Sequence, residues 1–307
     1  ALTHRLRRLT PDLPPLIAVD QEGGRVARLA DPFTIWPPAR ALGVTASEDL
    51  AFQVGQAMGE ELAAAGFTMD MAPVLDVDTN AANPIIGDRS FGGDPALVGR
   101  LGGALARGLA GAGVLAVGKH FPGHGDTAAD SHHTLPVVPH DRNRLLSVEV
   151  APFRAAAPHL PAVMSAHVLY PALDAEHPAT LSADILTDLL RRDLGYDGLV
   201  ISDDLEMAGI ALRWPAGEAA CRFLQAGGDL VLACHRPQVQ REALAALRRA
   251  VGRGEIPASR LEEARERVRR ARAQAAATAP RPRPPLPGPD GFPAHRALAA
   301  RLAGRGG

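Results

Sequence analysis

The chain has 307 residues, of which 46% are hydrophobic and 22% charged, and its formal net charge is -1 at pH 7. This composition is typical of a globular protein, and the nearly balanced charge provides no broad field for nucleic acid or an anionic membrane surface, so neither is an expected partner. No stretch reaches the roughly 18 apolar residues that a membrane-spanning helix needs.

Six short apolar runs alternate with long segments rich in alanine and leucine. In chain order the runs are LIAVD (16–20), MDMAPVLD (69–76), VLAVGKH (114–120), AVMSAH (162–167), LVISDD (199–204) and LVLACH (230–235). Each is nearly continuous in apolar residues, as expected of strands in a parallel sheet that is buried on both faces. The intervening segments have helical periodicity, and several end at a glycine suited to a helix C-cap. The alternation predicts repeated β-α units.

Polar side chains follow nearly every predicted strand at its carboxyl end: Asp20, Asp76, Lys119 with His120, His167, Asp203 with Asp204, and His235. The active site of a TIM-type (β/α)8 barrel is built at this face. A doubly wound open sheet also binds ligands at strand ends, but at a single switch point. We therefore expect an α/β fold of the TIM-type (β/α)8 class. Because only six strands can be assigned, part of the barrel is expected to precede Ala1.

The chain is expected to divide into a barrel catalytic domain, residues 1–275, and a Pro/Arg-rich linker with a short helical tail or stub, residues 276–307. Residues 274–292 are rich in proline and cannot continue a helix. The last fifteen residues, PAHRALAARLAGRGG, have one helical pattern and no core of their own. Cys221 and Cys234 lack the spacing of a metal or redox site and are expected to be buried thiols.

The stretch KHFPGHGDTAADSHH, residues 119–133, contains four of the chain's 11 histidines. His120 and His124 have an HxxxH spacing that could suit a metal ion, with later Asp or His residues completing the site. That spacing places both ligands on one face only in a helix, whereas residues 121–123 and Gly125 favour a loop. Lys119 would also repel a cation. The sequence therefore predicts no metal site here.

The same stretch resembles the signature loop of the NagZ-like β-N-acetylglucosaminidases (β-hexosaminidases) of glycoside hydrolase family 3. Four further stretches resemble this family in the same order: AVDQEGGRVARL (18–29), MDMAPVLDV (69–77), NPIIGDRSFGGDP (83–95) and ISDDLEM (201–207). The resemblance covers roughly residues 15–275. It implies retaining, exo-acting hydrolysis of a terminal β-linked N-acetylglucosamine, with no cofactor.

Retaining cleavage needs a carboxylate nucleophile and a proton donor. The resemblance implies that the nucleophile is Asp203, the first acidic residue of ISDD, with Asp204 as the competing choice. Because adjacent side chains at a strand end point in opposite directions, only one of the two is expected to face the barrel mouth. Asp204 is better suited to cap the next helix.

The resemblance implies that the proton donor is His132, with Asp130 as its partner. An imidazole titrates near neutrality, and a carboxylate can fix its tautomer and stabilise its charged form. The adjacent histidine, His133, is the alternative proton donor.

The resemblance also implies five residues that bind the terminal sugar: Asp20, Arg28, Arg89, Lys119 and His120. The two arginines could instead be solvated or paired with nearby acids. His124 and Asp126 are expected to hold the shape of the loop, and His167 to lie at the floor of the site. Aromatic residues make up only 4% of the chain, which favours a small pocket over an extended stacking platform.

The expected substrate is a carbohydrate, a glycoside that contains N-acetylglucosamine and comes from peptidoglycan. A glycoside phosphorylase of the same fold and a non-catalytic sugar-binding or scaffold protein are the alternatives. We expect a cytoplasmic monomer, although removal of a signal peptide before Ala1 would change the compartment.

Overall fold

A computed structural model describes residues 2–10, 12–128, 134–278, 286, 288 and 290–304, apart from the side chain of His4. The strands are β1 (Ala18–Val19), β2 (Met69–Asp70), β3 (Leu115–Phe121), β4 (Ala162–Ser165), β5 (Leu199–Asp204) and β6 (Leu230–Leu232). The α-helices are α1 (Leu2–Arg7), α2 (Ala39–Thr45), α3 (Glu48–Ala65), α4 (Pro95–Gly111), α5 (Arg142–Arg144), α6 (Ala151–Ala156), α7 (Ala208–Ala211), α8 (Ala216–Ala226), α9 (Pro237–Gly252), α10 (Ala258–Thr278) and α11 (Pro293–Ala303). Single turns of 3₁₀-helix span Gly87–Arg89, Ala157–His159 and Ala179–Leu181, and π-helical segments span Leu145–Glu149 and Asp184–Asp193.

The six strands form one parallel sheet in the order β1-β2-β3-β4-β5-β6. Each predicted apolar run coincides with one of these strands, with β3 extending one residue beyond its run, so the predicted β-α repeat is confirmed. The sheet curls, because Ala18 of β1 and Leu232 of β6, at its two edges, line the same cavity. Within the described ranges the sheet has six strands, not the eight of a complete barrel.

Both faces of the sheet are buried, and they carry alternate residues of each strand. The interior cluster includes Leu115 and Val117 of β3, Ala162 and Met164 of β4, and Leu199 and Ile201 of β5. The outer cluster, against the helices, includes the residues between them: Ala116, Val163 and Val200. This period of two places Asp203 on the interior side of β5, directly beyond Ile201.

Helices α3 and α4 pack closely against each other because glycines lie at their contact. A Cβ atom on Gly55 of α3 would lie 2.3 Å from the carbonyl oxygen of Leu105, and one on Gly108 of α4 would lie 2.2 Å from that of Phe52. A larger residue at either position would therefore push the helices apart. Helix α3 is capped at its amino terminus by Ser47, whose side chain accepts a hydrogen bond from the Leu50 N–H.

Helix α10 crosses the amino-terminal ends of the strands. Its apolar face contributes Val268, Ala271 and Ala275 to the interior cluster. Asp229, fully buried just before β6, accepts charged hydrogen bonds from three side chains, two of them on α10: Arg191, Arg260 and Arg267. Arg272 also donates from Nε to the carbonyl oxygen of Pro14, before β1, at 3.1 Å. These contacts close the end of the sheet opposite the polar strand ends.

Helix α11 packs on the outside of α2 and α3 and buries Ala299 and Leu302. His295 joins it to α3, with Nδ1 2.9 Å from Glu61 Oε1 and Nε2 3.2 Å from Glu60 Oε2. Burial would lower the pKa of His295, but the two carboxylates outweigh burial and raise this pKa. The helix at the end of the chain is therefore held by charge as well as by apolar contacts.

The prediction of two buried thiols is wrong: Cys221 is half-buried and Cys234 is exposed at the mouth of the cavity. The period of the runs indicated buried strands, but Cys234 lies beyond the end of β6, in the loop that leads to α9. No helix within the described ranges is both long enough and apolar enough to cross a bilayer.

Candidate active site

A cavity of about 730 Å³ opens at the carboxyl ends of the strands. It is lined by every predicted site residue that the structure describes: Asp20, Arg28, Arg89, Lys119, His120 and Asp203. Asp20, Lys119 and Asp203 come from the ends of β1, β3 and β5, and the two arginines come from the connections after β1 and β2. The predicted proton donor His132, its partner Asp130 and its rival His133 lie outside the described residues.

Asp203 is half-buried, and its carboxylate is ionised at neutral pH. Its Oδ1 accepts a hydrogen bond from the backbone N–H of Asp204 at 2.8 Å. Burial alone would raise the pKa of Asp203, but His167, His120, the Asp204 N–H and Lys119 outweigh burial and lower this pKa. Asp203 therefore has the charge that a carboxylate nucleophile needs.

Asp204 also lines the cavity, so the prediction that only one of the two adjacent aspartates faces it is wrong. Its Oδ1 accepts hydrogen bonds from the backbone N–H groups of Glu206 at 3.1 Å and Cys234 at 3.2 Å. Its Oδ2 lies 3.1 Å from Nε2 of His235. The predicted helix-capping role is wrong as well, since α7 has no side-chain cap. Asp204 instead joins the loops that follow β5 and β6, which strand periodicity could not indicate.

Two buried cations share acidic partners in the wall of the cavity. Nζ of Lys119 lies 2.8 Å from Asp20 Oδ1 and 2.6 Å from Glu22 Oε1. Arg89 donates to the same Glu22 carboxylate from Nε and Nη2, both at 2.8 Å. Both cations remain charged, because burial would lower their pKa values but the surrounding carboxylates raise them. Arg89 therefore lines the cavity, as predicted, and is also paired with an acid, which was the alternative prediction.

Glu22 is a functional candidate that the sequence reasoning missed. It lines the cavity with only 4% of its side chain exposed. One signal was available: a pocket predicted to contain Lys119, Arg89 and Arg28 needs more negative charge than Asp20 supplies. Nothing in the spacing of these residues indicated which acid would provide it.

Arg28 lies at the rim of the cavity. Its side chain is 58% exposed, and its Nη2 is 4.0 Å from Asp20 Oδ2. The backbone at Arg28, in the connection after β1, is fixed by Gln21, whose Oε1 accepts hydrogen bonds from the N–H groups of Arg28 and Leu29. Arg28 can therefore reach a ligand without leaving the loop that holds Asp20.

Asp76 is fully buried beneath the cavity and orients His120. Its Oδ2 lies 2.7 Å from Nδ1 of His120, and its Oδ1 accepts hydrogen bonds from the backbone N–H groups of His120 and His124 at 3.1 and 2.7 Å. Burial would raise the pKa of Asp76, but the two histidines outweigh burial and lower this pKa to about 2. With Nδ1 occupied, Nε2 is the nitrogen of His120 that is left for a ligand.

Residues 122–128, the described start of the loop after β3, are held by their own side chains and by Asn83, as the structural role predicted for His124 and Asp126 requires. Asn83 Nδ2 donates to the carbonyl oxygens of His124 and Gly125, and His124 Nδ1 lies 2.8 Å from Thr127 Oγ1. Asp126 contacts His140. His124 also lines the cavity, and burial lowers its pKa to about 4, so its ring is neutral at pH 7.

The prediction that His167 forms the floor of the cavity is wrong. It is fully buried behind Asp204, where its Nε2 donates to the Asp204 carbonyl oxygen at 3.0 Å and its Nδ1 lies 2.8 Å from Thr180 Oγ1. Burial lowers its pKa. His167 supports the end of β5 from the outer side, a position that follows from its place one residue off the interior register.

Taken together, the site is a pocket for a hydroxyl-rich ligand with an ionised carboxylate inside it. Charged groups of a type that can hydrogen-bond to sugar hydroxyls surround Asp203, and the pocket lies at the active-site face of the curled sheet. The described residues contain no group of three or more His, Cys, Asp or Glu side chains placed to hold a metal ion. This arrangement is that of a glycoside-cleaving α/β barrel.

Comparison with known proteins agrees with that class. Residues 2–271 match the family described as "Glycosyl hydrolase family 3 N terminal domain". The chain therefore belongs to glycosyl hydrolase family 3.

One curated relative and two solved structures are similar to this chain over most of its length. A β-hexosaminidase of Bordetella parapertussis is 44% identical over 252 residues, covering 80% of this chain and 70% of the relative. A glycoside hydrolase family 3 β-N-acetylglucosaminidase of Paenibacillus sp. FPU-7 is 42% identical with a TM-score of 0.94, covering 99% of this chain but only 59% of that one. A β-glucoside phosphorylase, BglX, is 27% identical with a TM-score of 0.89, covering 98% of this chain and 56% of that one.

Proposed function

We propose that this chain is the catalytic barrel of a retaining, exo-acting β-N-acetylglucosaminidase. The observation that carries the proposal is the ionised carboxylate of Asp203 in a cavity whose walls supply Lys119, Arg89 and His120. The relatives' names support N-acetylglucosamine as the terminal sugar. Peptidoglycan fragments are the natural substrates in this proposal, and the protein acts as a cytoplasmic monomer without nucleic acid or membrane partners.

In the first step the Asp203 carboxylate attacks the anomeric carbon as the bond to the aglycone oxygen breaks. His132, in the imidazolium form that Asp130 stabilises, gives a proton to that oxygen and becomes neutral. The product is a glycosyl ester on Asp203. The buried cations hold the sugar hydroxyls while positive charge develops on the ring.

In the second step water attacks the same carbon from the face that the aglycone has left. His132 accepts a proton from the water, and the Asp203 carboxylate is released. Two inversions give a product with the β configuration. Neither step as proposed uses a cofactor.

A glycoside phosphorylase is the second candidate, because the fold is shared with a β-glucoside phosphorylase. In that reaction phosphate would replace water in the second step. A histidine donor repels this anion less than a carboxylate donor would.

One experiment tests both candidates. The chain is incubated with an aryl β-N-acetylglucosaminide and, in parallel, the matching aryl β-glucoside, with and without phosphate, and the sugar products are identified by NMR. The proposal expects free N-acetylglucosamine, first released as the β anomer, in both buffers. A sugar 1-phosphate that forms only with phosphate present would establish the phosphorylase instead.

A further inference from the structure

Glu22 is the point at which the two buried cations of the cavity meet. Its carboxylate receives three charged hydrogen bonds, two from Arg89 at 2.8 Å and one from Lys119 at 2.6 Å. Asp20, the other partner of Lys119, has 40% of its side chain exposed, whereas Glu22 has 4%. Glu22 therefore holds both cations from the closed side of the pocket, and Asp20 holds Lys119 from the open side.

Glu22 is not available for proton transfer. Burial would raise its pKa, but Lys119 and Arg89 outweigh burial and lower this pKa to about 2. Three of the roughly four acceptor positions of its carboxylate are also occupied. Any effect of Glu22 on the reaction must therefore act through the cations that it binds.

The donors that remain on these cations have directions that Glu22 sets. Lys119 has three N–H donors, of which one goes to Glu22 and one to Asp20, so a third is left. Arg89 uses Nε and one N–H of Nη2 on Glu22, and Nη1 donates to the carbonyl oxygen of Ile85 at 3.3 Å. The planar fork of Arg89 is thereby fixed, and its remaining N–H groups point away from Glu22.

Glu22 also sets the charge that surrounds the nucleophile. Lys119 lowers the pKa of Asp203, and Asp203 raises the pKa of Arg89, so both cations act on this carboxylate. Without Glu22, Lys119 and Arg89 would lose the buried carboxylate that they share, and the anionic charge of Asp203 would offset more of their charge. The Asp203 carboxylate would be held more tightly and would attack less readily.

We propose that Glu22 is a positioning residue of the reaction, which orients the free donors of Lys119 and Arg89 toward the sugar and balances their charge around Asp203. This inference rests on the proposed function. It assigns to Glu22 no contact with the substrate.

The test measures kcat and KM for Glu22→Gln, which keeps the side-chain shape and removes the charge. The expected result is a loss in kcat/KM on the order of 100-fold, the scale for removing one partner of a buried, hydrogen-bonded charge pair, with most of it in kcat. Glu22→Asp keeps the charge but is too short to reach both cations, and it should lie between the wild type and Glu22→Gln.

A matched control separates positioning from general destabilisation. Glu61 is likewise a buried carboxylate paired with a cationic partner, His295, but it does not line the cavity. Glu61→Gln and Glu22→Gln should both lower the melting temperature, and only Glu22→Gln should lower kcat/KM at a temperature where circular dichroism shows both variants to be folded.

A double-mutant cycle with Lys119→Met gives a readout that a structural role would not change. If Glu22 acts through Lys119, Glu22→Gln should cost at least fivefold less in the Lys119→Met background. Wild-type turnover is measured first on aryl β-glycosides of N-acetylglucosamine and glucose, and the cleaved glycoside serves for all variants.

The outcomes separate the two proposals. Cleavage of the glucoside alone would overturn the proposed N-acetylglucosaminidase and still allow the Glu22 test. Cleavage of the N-acetylglucosaminide, combined with a Glu22→Gln kcat/KM within threefold of wild type or with additive effects in the cycle, would overturn the Glu22 inference alone. A wild-type chain that cleaves neither glycoside would overturn both.

Discussion

The buried carboxylate of Asp76 binds the imidazole of His120 through a 2.7 Å contact between Oδ2 and Nδ1. Asp76 is fully buried, while His120 is 7% exposed and lines the cavity. A carboxylate can only accept at this position, so Nδ1 carries the proton. The nitrogen left for a ligand is Nε2, and whether Nε2 carries a proton depends on Asp76, which does not line the cavity.

Replacing Asp76 with asparagine should reverse this arrangement. The amide oxygen can still accept the two backbone N–H groups, and the amide nitrogen then donates to Nδ1 of His120, which moves the ring proton to Nε2. We expect kcat/KM to fall on the order of 10- to 100-fold, as for other residues that orient a histidine. NMR of histidine labelled with ¹⁵N would report the tautomer, and an unchanged tautomer together with an unchanged rate would contradict the assignment.

The same variant tests the charge of Asp76 through the pH dependence of stability. Because the pKa of Asp76 is lowered from 3.8 to about 2, its ionisation stabilises the folded state above pH 3.8, and this contribution disappears as the pH falls to 2. The ionisation of Asp76 contributes about 2 kcal/mol to the free energy of unfolding at neutral pH. Urea titrations should give a difference in the free energy of unfolding between wild type and variant that is constant near neutrality and shrinks below pH 4.

Asp203→Asn should abolish turnover while leaving the fold and sugar binding intact, because the attacking group is lost and the walls of the pocket remain. Asp204→Asn is the matched control, since its amide oxygen can still accept from the Glu206 and Cys234 N–H groups. It should retain most activity. Activity of Asp203→Asn at a tenth of wild type, with Asp204→Asn inactive, would transfer the role of nucleophile to Asp204.

His132→Ala should slow poor leaving groups far more than activated aryl glycosides, because a good leaving group needs little protonation. The glycosyl-enzyme should accumulate, and azide, which needs no general base, should restore turnover and give a β-glycosyl azide. Asp130→Ala should have a milder form of the same pattern. Rates are compared across aglycones of graded leaving ability, with His133→Ala as the control. An equal loss for all substrates without azide rescue would make His132 a binding or structural residue.

Chelation should leave the rate unchanged. Within the described residues no group of three or more His, Cys, Asp or Glu side chains is placed to hold a metal ion, and neither proposed step uses one. The check is prolonged dialysis against a chelator followed by elemental analysis and activity measurement. Activity that is lost on dialysis and restored by added zinc would revive the metal hypothesis.

Helix α11 should be held less tightly at alkaline pH. The raised pKa of His295 means that its charged form stabilises the folded state fully below pH 6.5, and that this contribution disappears as the pH rises through the higher folded-state pKa. His295→Ala should lower the free energy of unfolding by about 2 kcal/mol at pH 6, the scale of a hydrogen bond to a charged group. The difference should narrow at high pH in urea titrations, and a difference independent of pH would contradict the charged pair.

The positions of the strands and of most of the pocket could be predicted because they depend on local patterns. Continuous apolar runs predicted all six strands, and the polar residues at the ends of those runs meet in one cavity because parallel strands bring their carboxyl ends together. Asp203 and Lys119 also follow the interior register of Ile201 and Val117. Period and position along the chain were therefore sufficient for these residues.

Glu22 and Asp204 could not be predicted in the same way, because their roles depend on contacts between distant segments. Glu22 is 67 residues from Arg89 in the sequence, and Asp204 is 30 residues from the Cys234 N–H that it accepts. Strand alternation also failed at Asp204, since the rule describes a regular strand and β5 ends there. The roles of both residues are set by packing between distant loops, and a local sequence pattern carries no information about such packing.

Within the part of the chain that the structure describes, helix α10 closes the end of the cavity that lies opposite the polar strand ends. Its apolar face fills the amino-terminal end of the curled sheet, and Asp229 joins it there to the start of β6. In the function proposed above, a glycan chain would therefore not thread through this end of the sheet after a cleavage. The released sugar would leave by the polar end through which it entered, and successive cleavages of one chain would be independent encounters rather than a processive run.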